Sequence, residues 1–333
     1  MNDVERRAVV AAKLVHRLKP RTNVEHDPKY GLRRDGDVAL LSHGNELPER
    51  RSLDVVHHQE GQALVDAHVH TALVALRGAA VAAASAGNVV EDLFFRFEQG
   101  LSPHDIAAFS RVGAMECLLH GTGFVSDHYY HGHAVARALA DVGLTGMVAP
   151  TLQDLAGPGA HLTDAAFADT LALHADADLR ARGLFAAVGP HATDTVSDDL
   201  WRRLHRLAVD HQLPIHAHVA QSIEEVERVF ARSGTTPLAH LRDLGVLEGT
   251  PFLLVHLLYT RDADLAALGP HHVLVGCPSS AAWFGFPADI PSWLRDGHPV
   301  ALATDCAASN DAASLPKELR AVHALRTAAL PLT

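Results

Sequence analysis

The chain has 333 residues, 48% hydrophobic and 20% charged, an ordinary globular composition. Its formal net charge is -11, and its basic doublets (Arg6-Arg7, Arg33-Arg34, Arg50-Arg51, Arg202-Arg203) are too short to form a nucleic-acid-binding surface. No uninterrupted apolar stretch reaches the roughly 18 residues of a membrane span.

The N-terminus opens with mixed charge, and the apolar stretch after it is broken by Lys13, His16 and Arg17, which argues against a signal peptide. Ala8 to Leu18 reads as a short amphipathic helix. Between 36 and 63 lie weak strand signals, Asp37-Val38-Ala39-Leu40-Leu41 and Ser52-Leu53-Asp54-Val55-Val56. They predict a small β region, so residues 1–63 are assigned to an N-terminal segment and 64–333 to the main domain.

From residue 64 a strand-then-helix rhythm sets in. Eight strands are predicted, at 64–69, 123–127, 146–150, 184–190, 213–218, 252–257, 272–277 and 299–304. Ala/Leu/Arg-rich helical stretches separate most of them, among them His133–Val142, Asp199–His211, Ile223–Ser233 and Leu315–Ala329. Alternation of this kind predicts an α/β fold, a (β/α)8 TIM-like barrel. No G-x-G-x-x-G follows a strand, which counts against an open doubly wound sheet. The Ala-rich run 79–87 reads as a helix or an ordered loop.

With 25 histidines in the chain, position and spacing must carry the functional argument. In a barrel the active site forms at the C-terminal ends of the strands. His68 and His70 end the first predicted strand. Side chains alternate along a strand, so these two imidazoles point the same way, about 7 Å apart. Asp127 and His128 end the second strand, and His191 follows the fourth. His216, His218 and Gln221 end the fifth, His256 the sixth and Asp305 the eighth. Two His-x-His pairs and an Asp on one rim predict a site for one divalent metal ion. Only one of His216 and His218 need face it, and alternation alone does not choose. Such an ion lowers the pKa of bound water toward neutrality, and a carboxylate beside it accepts the proton. Zinc is expected; iron and manganese also suit His and Asp ligands. His128, His131 and His133 are read as a polar loop, solvated or facing substrate. Cys306 is read as a packed side chain. The three cysteines, Cys117, Cys277 and Cys306, include no C-x-x-C and are read as reduced thiols of a cytoplasmic protein. Motifs of other hydrolases are absent: no H-E-x-x-H, P-loop, G-x-S-x-G or H-x-E…P-C-x-x-C occurs.

Taken together, these motifs resemble the amidohydrolase superfamily over roughly residues 62–325. The branch is the one holding guanine, S-adenosylhomocysteine and related aminohydrolases together with triazine chlorohydrolases. The resemblance rests on Leu64-Val65-Asp66-Ala67-His68-Val69-His70-Thr71, Arg77-Gly78, Gly121–Asp127, Gly189-Pro190-His191, His218-Val219-Ala220-Gln221, Val255-His256 and Ala303–Asn310. It implies one metal held by His68, His70, His218 and Asp305. Asp305 would take the proton from water, His256 would orient that water or the attacked group, and His191 would touch substrate. The implied reaction is hydrolytic deamination of a small nitrogen heterocycle or amidine. Tyr129 and Trp283 are further substrate-facing candidates.

Three departures qualify the likeness. Gln221 stands where the family has a proton-shuttling Glu, and an amide neither donates nor accepts a proton in that way. This raises two alternatives. One is a different leaving group, in hydrolytic dechlorination, dealkylamination or cyclic amide opening. The other is a barrel that binds metal or ligand without turnover. Ala281 stands where the family has Asn. The chain also stops soon after the eighth barrel helix, so the β-sandwich of relatives is expected to be incomplete, leaving an apolar face for a homodimer to cover.

Overall fold

The computed structural model describes residues 63–79, 88–283 and 289–328. The expected helix at Ala8–Leu18, the small β region, and nearly all of the Ala-rich run lie outside them.

All eight expected strands are present. In chain order they are β1 (Leu64–Val69), β2 (Thr122–Tyr129), β3 (Thr145–Leu152), the split pair β4 (Leu184–Ala186) and β5 (Gly189–Pro190), β6 (Ile215–Val219), β7 (Phe252–His256), β8 (Val273–Gly276) and β9 (Val300–Leu302). Every pairing is parallel. One sheet runs β1-β2-β3-β4, with β5 on β3, and a second runs β6-β7-β8-β9.

Two seams close these sheets into a ring. At one, His68 O accepts from Asp305 N at 3.0 Å and His70 N donates to Asp305 O at 2.8 Å. At the other, Val188 N donates to Pro214 O, His216 N to Val188 O and His218 N to His191 O, at 2.9 to 3.1 Å. The result is the (β/α)8 barrel.

Period-2 alternation divides the strands between two cores. Ile215, Ala217 and Val219 face outward into the layer beneath the helices. Their neighbours His216 and His218 are therefore inward. Inside the ring, Phe124, Met147, Leu253, Val255, Val273 and Ala301 form a second buried cluster below the site. The helices begin where local chemistry favours it. Ser102 and Asp105 form a capping box on α1 (Pro103–Leu119), and Ser197 and Ser222 cap Asp198–His211 and Ile223–Ser233.

Candidate metal centre

Asp66, in β1, accepts hydrogen bonds from the backbone N and hydroxyl of Thr304 at 3.0 and 2.5 Å. This fixes the strand carrying His68 against the residue before Asp305. Burial pushes the Asp66 carboxyl up to about 7. Asp127, at the end of β2, accepts from the backbone N and hydroxyl of Thr71 at 3.1 and 2.5 Å, which fixes the turn just after His70. Burial raises its carboxyl to about 6. These two acids set the His68–Thr71 backbone.

The imidazoles are oriented from behind. His70 Nδ1 lies 2.5 Å from the carbonyl of His128, and His218 Nδ1 lies 2.7 Å from the carbonyl of His191. Each must donate there, because a carbonyl only accepts, so each Nε2 carries its lone pair forward. His68 Nδ1 meets His216 Nε2 at 2.8 Å. His68 Nε2 is buried with no hydrogen-bond partner among the described residues. An orphaned buried nitrogen is costly unless something occupies its lone pair.

The three Nε2 atoms converge with one oxygen of Asp305. His70 Nε2 is 3.4 Å from His218 Nε2, and Asp305 Oδ1 is 3.5 Å from His70 Nε2 and 3.6 Å from His68 Nε2. Around a tetrahedral ion with bonds of about 2.1 Å, neighbouring ligand atoms stand roughly 3.4 Å apart. The donor set, the spacing and the orphaned His68 nitrogen all fit a divalent cation. The expected ligands His68, His70, His218 and Asp305 thus come together, and His256 joins them: His68, His218 and His256 offer nitrogens within 4.8 Å of one another.

Burial and neighbouring imidazoles push His68 and His218 well below the usual histidine range, and burial also lowers His256. His68, His218 and His256 are therefore biased toward the neutral ring, the form that ligates metal. His216, which alternation left open, sits behind His68 as its hydrogen-bond partner.

The structure also places the other candidates. His191 follows β5, with its ring 5.2 Å from that of His218 and burial pushing it down to about 3. Phe95, from the short helix Phe95–Glu98, packs 5.5 Å from the His191 ring. Gln221 is partly buried, and its backbone N is held at 2.8 Å by the buried carboxylate of Glu225. Tyr129 is buried with its ring 6.2 Å from that of His70. Trp283 ends the helix Pro278–Trp283 and makes no ring contact with the histidine cluster among the described residues.

The reading of residues 128–133 as a polar loop is corrected. His128 lies within β2, is 1% exposed and stacks on His218 at 5.0 Å. His131 N-caps the next helix in a left-handed conformation, and His133 pairs with Asp176 at 3.0 Å. An inward-facing polar side chain interrupts the apolar run and hides the end of a strand.

The amidohydrolase family profile matches residues 63–330. The chain belongs to the amidohydrolase family. A 5-methylthioadenosine/S-adenosylhomocysteine deaminase of Syntrophomonas wolfei is 29% identical to it over 291 residues, covering 85% of this chain and 66% of that one. The enzyme of that name from Halothermothrix orenii is 30% identical over 277 residues, covering 81% and 63%. This amidohydrolase thus spans somewhat under two thirds of the length of either relative. Among solved structures, an adenosine deaminase from Xanthomonas campestris with bound zinc superposes at TM-score 0.70 with 25% identity, covering 80% of this chain and 61% of that one. A guanine deaminase from C. acetobutylicum with bound guanine shares the fold at TM-score 0.71 and 17% identity, covering 80% and 66%.

Proposed function

We propose that this amidohydrolase is a zinc-dependent aminohydrolase that deaminates a small nitrogen heterocycle or amidine. The observation that carries this reading is the convergence of three forward-facing Nε2 atoms and Asp305 Oδ1 at distances that ligands of one ion can share. The deaminase names of the relatives and the bound zinc of the adenosine deaminase support it.

His68, His70, His218 and Asp305 would hold the metal, which when bound supplies Lewis acidity and a low water pKa. Asp305 accepts the proton of the attacking water. His256, neutral and adjacent, orients that water or the attacked group. His191 and Phe95 form one wall against a planar substrate ring, and Tyr129 and Trp283 remain candidates for further substrate contacts. Gln221 can hydrogen-bond to a ring nitrogen or leaving group but cannot protonate it.

That amide favours a second reading on the same site, in which a halide, an alkylamine or a cyclic amide departs without the shuttle. A third reading is a centre that binds without turnover. Free, buried Cys117, Cys277 and Cys306 accord with a reducing, cytoplasmic setting. Val112, Met115 and Leu119, 52 to 76% exposed along α1, offer the apolar face a homodimer would cover. The division into an N-terminal segment 1–63 and a barrel 64–333 is retained as part of this proposal.

Elemental analysis of wild type and His68→Ala tests the centre. The expected result is about one equivalent of metal, lost in the variant. Ammonia release from a panel of aminated heterocycles then tests the chemistry. A folded wild type that takes up neither zinc nor iron would overturn the hydrolase reading. Metal-loaded protein that releases halide or alkylamine but no ammonia would favour the second.

A further inference from the structure

Asp305 has two carboxylate oxygens with different surroundings. Oδ1 faces His68 and His70. Oδ2 is turned the other way, 2.5 Å from Ser280 Oγ and 3.4 Å from Ser309 Oγ. The two hydroxyls are 2.8 Å apart, and Ser309 Oγ continues to Cys306 Sγ at 3.3 Å. Ser280, Ser309 and Cys306 are all at most 3% exposed, so water does not compete for these groups.

The backbone does not by itself aim the carboxylate. Asp305 sits in the left-handed region at φ 63°, pinned into the barrel seam by its N and O. That fixes its Cα and leaves its side-chain torsions to the partners of Oδ2. The short contact from Ser280 is the stronger of the two.

Ser280 is itself held in place. Glu318, fully buried on the last helix (Leu315–Ala328), accepts from Ser279 N and from Asn310 Nδ2, each at 2.9 Å. One side chain therefore seats both short helices that bring hydroxyls to Asp305, Pro278–Trp283 and Ala307–Asn310.

We propose that Ser280 is a positioning residue of the metal centre: its buried hydroxyl holds Oδ2 so that Oδ1 points at the Nε2 atoms of His68 and His70. This rests on the metal-binding reading above. Groups that orient metal ligands from behind cost about 10–100-fold in metal affinity when removed.

The test is zinc affinity of wild type and Ser280→Ala, measured by competition with a chromophoric chelator, with the visible spectrum of the cobalt-substituted proteins recorded alongside. Circular dichroism of the metal-free proteins checks folding. The expected result is a metal-free fold like wild type, zinc binding weaker by about 10–100-fold, and a shifted cobalt d–d band. Wild-type affinity together with an unchanged cobalt spectrum in Ser280→Ala would overturn the proposal and leave the metal reading intact. A wild type that binds neither ion would overturn the metal reading itself, and this proposal with it. If Ser280→Ala does not fold, Ser280→Cys, which keeps the volume but offers a weak donor, must show the loss in its place.

Discussion

At Gln221 the chain carries an amide one short turn beyond the proposed ligand His218, and this single residue divides the possible chemistries. Its backbone is already held by Glu225, so a carboxylate introduced there inherits the same place. Gln221→Glu is expected to raise the turnover of amino leaving groups by about 10²–10⁴-fold, the typical worth of general acid–base catalysis, with metal content unchanged. Ammonia release by the two proteins checks this. An unchanged rate with metal bound would mean that the leaving group departs without a shuttle.

His272, away from the centre, makes a separate claim about stability. It is 2% exposed, and burial, followed by the like charge of His271, pushes its ring down to about 4. The unfolded chain protonates this residue near 6.5. Between those values the unfolded state binds a proton that the folded state refuses, so folding stability falls as pH drops through that window. His272→Gln is expected to reduce the loss of stability between pH 7 and pH 5 by about 1–2 kcal/mol, read from urea unfolding at both pH values. An equal loss in both proteins would contradict it.

His68 and His70 are readable from the sequence, because alternation along the first strand turns both the same way, whereas Asp305 is legible only as the residue past the eighth strand: it lies beyond β9 in a left-handed conformation, where alternation no longer applies. The roles of His216 and Ser280 are not readable in this way. Each is defined by a partner far away in sequence, His68 and Asp305, and only the closed ring brings the pairs together.

Among the elements, the contact between α1 and the 3₁₀ turn Thr71–Leu76 bears most directly on the site. A Cβ at Gly113 would lie 2.3 Å from Thr71 O and 2.9 Å from Thr71 C, both backbone atoms. Thr71 follows the proposed ligand His70 and is the residue that Asp127 holds. Gly113→Ala is therefore expected to destabilise the fold by about 1–3 kcal/mol, the usual cost of overpacking, and to weaken zinc binding as well. A lower urea midpoint with wild-type zinc affinity would separate the two effects and refute the second.

Apolar runs expose all eight strands, and Ala/Leu/Arg-rich stretches mark the helices between most of them. The segment 184–190 reads as one strand but folds as two. Leu184–Ala186 pairs low on β3, and Gly189–Pro190 pairs higher, where a Cβ on Gly189 would strike Pro150 O at 2.5 Å. That break follows from close backbone approach, which hydropathy does not encode.

On the scale of the whole molecule, two parallel sheets meet at two seams, and the four proposed ligands are shared between them. His68 and His70 come from the first sheet, His218 and Asp305 from the second or its end. Zinc should therefore stabilise the ring as a unit. At a free concentration one hundred times the dissociation constant, binding adds about 2.7 kcal/mol. Thermal unfolding is expected to move upward with added zinc and back down with chelator, and to be insensitive to zinc in His68→Ala. A wild-type transition that zinc does not move would contradict this.

The division of ligands across the seams also orders events in time. A half-formed chain holding only the first sheet has two imidazoles, and one holding only the second has an imidazole and a carboxylate, neither a complete cradle. On the proposed reading, tight capture of the ion waits for a molecule that has finished closing. Zinc uptake during refolding should then lag strand formation and keep pace with the slowest structural phase, so that metal content becomes an assay of conformational quality, separating completed barrels from those that stalled with a seam open.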